Sequence, residues 1–145
     1  MIISARNIHK SFGTLEVLKG VDVEVAAGEI LAVTGASGAG KTTLLQILGT
    51  LSTPDSGYLE IDGTTLFDGP RRALKSDALA AFRGRRIGFV FQAHHLLPEF
   101  SAEENVLIPA LIRGVPMKEA RARAAQLLGE VGLQDRLDHK PSELS

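Results

Sequence analysis

The chain has 145 residues, 44% of them hydrophobic, with a formal net charge of −1 and no cysteine. That is enough length and apolar content to bury one ordinary core, and the lack of cysteine excludes a disulfide framework and fits a reducing cytoplasm. The near-zero charge gives no global pull toward nucleic acid, no apolar run approaches the ~20 residues that span a bilayer, and Met1–Arg6 lacks the apolar core of a signal peptide.

Ile2 to Ile8 and Leu15 to Val25 alternate apolar and polar residues, which predicts two half-buried strands joined at the turn Phe12-Gly13-Thr14. The apolar run Glu29–Thr34 reads as a buried strand, and Thr42 to Leu48 as a helix. Pro54-Asp55-Ser56-Gly57 has turn chemistry, and Tyr58–Ile61 reads as a short strand ended by Asp62-Gly63. A helix is expected over Leu74 to Phe82, inside a stretch from Arg71 to Arg86 with six basic residues and one acid. Such a stretch is first of all a solvated face, and secondly a surface suited to anionic lipid headgroups. Ile87 to Phe91 reads as a second buried strand ending at Gln92. Ser101 and Glu104 form a capping box for a helix through about Ile112, with Pro109 expected to kink or shorten it. Pro116 suits the start of another helix, in which Ala120, Ala124, Leu127, Leu128 and Val131 share one face before Gly132 ends it.

One segment carries the chemistry. Gly35-Ala36-Ser37-Gly38-Ala39-Gly40-Lys41-Thr42 fits the phosphate-binding pattern G-x-x-x-x-G-K-[ST] at every fixed position. Its glycines clear the inner wall of the loop, so successive backbone N–H groups can converge on phosphate oxygens, and Lys41 adds a full positive charge. An apolar run before it and a helix after it supply the context the motif needs, with the helix N-terminus aimed at the anion. Phe12, beside a turn, reads from the residues alone as a core aromatic. His94 and His95 do not make a metal site, because no ligand accompanies them at zinc spacing and neighbours on an extended segment face opposite ways.

With these pieces assembled, the sequence resembles the ATP-binding subunits of ABC transporters along its whole length. The stretch Gly88-Phe89-Val90-Phe91-Gln92-Ala93-His94-His95-Leu96-Leu97-Pro98-Glu99-Phe100-Ser101-Ala102-Glu103-Glu104-Asn105-Val106 is most similar to the lipoprotein-releasing branch, with macrolide-export and cell-division-type ATPases as close alternatives. The resemblance implies an α/β fold: a P-loop NTPase core with an N-terminal antiparallel β layer, residues 1–92, followed by a Q-loop and part of a helical subdomain, residues 93–145. Leu144-Ser145 matches the start of the Leu-Ser-Gly-Gly-Gln signature, so the chain is expected to be the N-terminal part of a longer ATPase, without the aspartate and catalytic glutamate of its second acidic strand and inactive alone.

The resemblance further implies ATP and Mg²⁺ as ligands. Phe12 would stack on adenine; Gly35, Ser37, Gly38, Ala39, Gly40, Lys41, Thr42 and Thr43 would hold the phosphates; Thr42 and Gln92 would meet Mg²⁺. Lys41 and Gln92 would act in catalysis, Gln92 by contact with the attacking water. Partners would be inner-membrane permease subunits and a second copy of the ATPase, with no nucleic acid, at the cytoplasmic face of the bacterial inner membrane. Leu96, Leu97, Pro98 and Phe100 read first as a local apolar cluster, and secondly as the lining of a groove for a cytoplasmic helix of the permease. A small-molecule kinase with the same loop, or a nucleotide-binding module that does not hydrolyse, are the competing classes.

Overall fold

A computed structural model describes residues 1–144, so the second residue of the expected signature, Ser145, lies outside the described residues. The chain divides into two compact units, Met1–Gly88 and one that begins at Phe89.

The first unit is built on a five-stranded sheet of order β2-β1-β3-β4-β5, antiparallel at every pairing. Strands β1 (Ile3–Phe12) and β2 (Leu15–Val25) form the expected hairpin, and β1 runs four residues past Ile8, to the turn itself. The two-residue connection works because Gly13 takes φ 60, a left-handed value that costs glycine nothing. Strand β3 (Ser56–Ile61) pairs with the far edge of β1 and then reverses into β4 (Thr64–Asp68). Asp62 and Gly63 at that reversal have φ 48 and 69, the left-handed pair of a tight hairpin turn. The sequence reading missed β4 and the short β5 (Arg71–Arg72), although Asp-Gly between Ile61 and Thr64-Thr65-Leu66-Phe67 is a strong hairpin signal.

Helices α1 (Lys41–Leu48) and α2 (Ser76–Arg86) contribute Leu44, Ile47 and Leu79 to a core with Ala5, Ile8, Leu18, Val23, Val25, Leu59, Ile61, Leu66 and Phe67 of the sheet. Helix α2 starts two residues later and ends four later than expected, with Arg83, Arg85 and Arg86 in a last turn whose dipole favours cations. Three of the six basic residues are engaged locally: Arg72 with Thr53, Arg83 with Thr50, and Arg86 with Asp62 at 2.9 Å. That is the arrangement of a solvated face.

The two expected buried strands are corrected. Neither 29–34 nor 87–91 has a ladder partner among the described residues. Only Val33 and Ile87 pack against the core, while Ile30 is 96% and Val90 103% exposed. A run apolar on both faces becomes a strand when neighbours bond both its edges and other elements cover both its faces, and here nothing supplies these. Phe89 and Phe91, two apart on an extended segment and so on one side of it, stack instead with ring centroids 5.3 Å apart.

The second unit is a helical hairpin. Helix α3 (Ala102–Ile112) starts at the expected box: Glu104 N–H donates to Ser101 Oγ at 3.2 Å, and Ser101 N–H to Glu104 Oε2 at 2.8 Å. Its other first-turn donors go to carbonyls of the C-terminal segment, Ala102 N–H to His139 and Glu103 N–H to Leu137. Pro109 lies inside α3, and the helix continues through it to Ile112. Helix α4 (Met117–Glu130) packs Ala120 and Ala124 against Leu107 of α3, and small residues let the two backbones approach. Val131, expected on the buried face, sits beyond the last helical residue and is 69% exposed.

Candidate nucleotide site

The glycine loop meets α1 at Gly40, whose φ of 90 is strained for any residue with a side chain. A Cβ there would also stand 2.8 Å from Val17 Cγ1 and 2.9 Å from Leu18 Cδ2, so glycine is required by space as well as by backbone angle. Because Gly40 has no side chain, α1 starts without a capping acceptor, and no acid occupies its first turn. The first intrahelical bond is Leu44 N–H to Gly40 O at 2.8 Å, which leaves the N–H groups of Lys41, Thr42 and Thr43 at the positive end of the helix. Lys41 Nζ donates to Gly35 O at 2.8 Å and to Ala36 O at 2.6 Å, so the ammonium is held across the loop. Ala39 N–H turns back to Ala36 O, which closes the loop on itself.

These elements enclose a cleft of about 350 Å³ lined by Phe12, Val17, Ser37, Gly38, Gly40, Lys41, Thr42 and Thr43. The volume is within the usual span of small-ligand pockets, ~300–1,000 Å³. Two larger hollows, of about 610 and 430 Å³, lie over the sheet at Tyr58 and at Val23, and neither contains a helix N-terminus or a glycine loop. The smaller cleft is the one with anion chemistry: its lining offers one ammonium, two threonine hydroxyls and a serine hydroxyl and, among the described residues, no carboxylate.

Phe12 is among the residues the fold brings together. It is 55% exposed, so the core reading of this side chain fails, and Lys10 Nζ stands 5.6 Å from its ring centroid. Gly35 and Ala39 shape the loop from outside the cleft lining. Gln92 belongs to the second unit, exposed in an irregular segment, and is not part of the cleft that the first unit builds. Val17 is the lining residue that the sequence reading missed, and nothing in its local pattern distinguishes it from any other strand valine. Among the described residues no group of three His, Asp or Glu side chains could hold a metal by itself.

The profile of the ABC transporter family matches residues 18–145 of the chain. The chain belongs to that family. It is 60% identical, over all of its length, to a lipoprotein-releasing system ATP-binding protein LolD of Porphyromonas gingivalis, and 56% identical over 99% of its length to the LolD protein of Bacteroides fragilis. It spans 64% of the length of each of these relatives. Among solved structures it is similar to the ATP-binding cassette MJ0796, described as dimeric and, in one case, as bound to ADP and Pi in a post-hydrolysis state. Those two matches have TM-scores of 0.82 and 0.84 at 33% identity, and each covers 99% of this chain and 63% of the other. The α/β ABC ATPase fold, with its antiparallel β layer, is thereby shown.

Proposed function

We propose that the protein binds Mg-ATP in the cleft below Phe12 and is the nucleotide-driven motor of an ABC transporter that releases lipoproteins from a bacterial inner membrane. The observation that carries the reading is the convergence of Lys41, Thr42, Thr43, Ser37 and Phe12 on one cleft at the N-terminus of α1. The LolD relatives supply the transported class.

In this reading the adenine ring stacks on Phe12, and the triphosphate runs toward α1, where backbone N–H groups and the helix dipole meet its charge. Lys41 reaches the β- and γ-oxygens, and Ser37 donates to the γ-phosphate. Thr42 offers its hydroxyl to Mg²⁺. A magnesium ion takes few protein ligands when phosphates supply the rest, which agrees with a lining that offers hydroxyls and, among the described residues, no carboxylate. Phosphoryl transfer passes through a loose transition state, so neutralised charge and an aligned water supply most of the catalysis. Gln92 is assigned to that water and to Mg²⁺. Among the described residues no carboxylate lines the cleft, and these residues alone are expected to bind nucleotide and to turn it over negligibly.

The proposed partners are a second copy of the ATPase and permease subunits. Leu96, Leu97 and Phe100, about 40% exposed each, are better placed for a partner than a core cluster would be. Among the described residues no helix is long and apolar enough to cross a membrane.

The test is titration of ATP, with Mg²⁺, into the protein and into Lys41→Ala. A charge-assisted contact contributes ~1.5–3 kcal/mol, so affinity should fall roughly tenfold to hundredfold. Equal affinities would remove the loop from the mechanism.

A further inference from the structure

We propose that Asp55, together with Lys10, is a positioning residue for the nucleotide base: it holds the end of β1 so that Phe12 faces the phosphate cleft. The inference rests on the adenine-stacking reading of Phe12.

Strand β1 is bonded on both edges only as far as His9, the last residue paired with β3, opposite Ser56. Beyond it the β3 edge of β1 has no ladder, and on the other edge the pairing with β2 slips between Lys10 and Ser11. A strand end that carries a functional side chain would be free to splay here. Asp55 replaces the absent partner. Its N–H donates to His9 O at 2.9 Å, continuing the ladder by one bond. Its carboxylate then accepts from Ser11 N–H at 2.6 Å through Oδ2 and from Lys10 Nζ at 2.7 Å through Oδ1. Three bonds from one residue therefore tie down three consecutive residues of β1, and the next residue is Phe12.

The same ammonium that meets Asp55 also stands 5.6 Å from the Phe12 ring centroid, so one side chain touches both groups. The lysine is mostly covered, with its side chain 17% exposed, although its charge has a partner within reach only at Asp55 among the contacts of this strand end. These two donors, Lys10 first and Ser11 second, favour the charged form and hold the Asp55 carboxyl below its ordinary value. The preceding Pro54 is buried, which anchors the turn that presents Asp55.

The experiment measures binding of ATP and of inorganic tripolyphosphate, by calorimetry, to the protein and to Phe12→Ala, Asp55→Ala, Asp55→Asn and the Phe12→Ala/Asp55→Ala double variant. Tripolyphosphate has the charge and no base. Loss of one base stack is typically about tenfold in affinity. Phe12→Ala should weaken ATP by about that factor and Asp55→Ala by roughly threefold to tenfold, with tripolyphosphate unchanged in both. The double variant should bind ATP no more weakly than Phe12→Ala alone. Asp55→Asn keeps an oxygen for Ser11 N–H and should retain more affinity than Asp55→Ala. An Asp55→Ala protein with undiminished ATP affinity would overturn the proposal, as would additive losses in the double variant or an equal loss of tripolyphosphate. Undiminished ATP affinity in Phe12→Ala would instead defeat the stacking reading itself, a result distinct from the other three.

Discussion

Lys41 and Asp55 do different work with similar bonds. Lys41 spends its donors on two backbone carbonyls of its own loop, so the charge that would meet phosphate is held in place by the loop it serves. Asp55 receives one ammonium and one N–H from another part of the chain, and both hold its carboxyl below the ordinary carboxylate value. Because its folded value lies below the ordinary 3.8, Asp55 contributes stability that is present above that pH and is lost as pH falls through the lower, folded value. Wild-type protein should therefore melt higher than Asp55→Asn at neutral pH, and the gap should narrow in acid below about pH 4. Thermal melts of both proteins across pH 2.5 to about 7 check this; a gap independent of pH would show that the charge of Asp55 is not what matters. The extended segment expected at His94 and His95 is not found: His95 has φ 50, His94 Nδ1 accepts from Leu96 N–H, and His95 packs edge-on against Phe91.

At the scale of elements, the start of α3 is held by side chains on both sides of its first turn. The box at Ser101 and Glu104 was legible because both partners sit three residues apart before an apolar run. Asn105, one residue on, was not, because its bonds are to backbone that is irregular. Its side chain receives Leu97 N–H at 2.8 Å and donates to the carbonyls of Leu97, Phe100 and Ser101 at 3.0–3.1 Å, so one amide pins the apolar loop to the start of α3. Asn105→Ala should release that loop while leaving the capping box. Hydrogen exchange reads it directly: the Leu97 amide should exchange about fivefold faster, since its opening would no longer break a bond worth ~1 kcal/mol. Unchanged protection at Leu97 would show that the loop is held by other contacts.

At the scale of the whole molecule, the apolar surface of the second unit bears on what the protein meets. Leu97 is 43% exposed, and its backbone is already held by Asn105, so an aspartate there has water to face and should leave the fold intact. Leu97→Asp is expected to lose co-purification with a permease partner while its melting temperature and ATP affinity stay near wild type. A lowered melting temperature together with lost nucleotide binding would assign Leu97 to the core, because a buried unpaired charge costs several kcal/mol against a total stability of ~5–15.

What the sequence determined by itself is local. The phosphate loop, the hairpin turn at Gly13, the capping box and the buried stripe of Ala120, Ala124 and Leu128 each depend on residues a few positions apart, whose geometry follows from turn angles and from periods of 2 and 3.6. Apolar runs at 29–34 and 87–91 are equally clear as patterns, yet composition says only that they can be buried, not that a ladder partner stands beside them. Tertiary structure decided that, and left most of both runs open to water. It also decided that Phe12, a plain turn aromatic in sequence, lies across a cleft from Lys41, and that Asp55 lies 44 residues along the chain from the Ser11 N–H it accepts. Such contacts depend on how β1 crosses the sheet between β2 and β3, and no local period encodes that crossing.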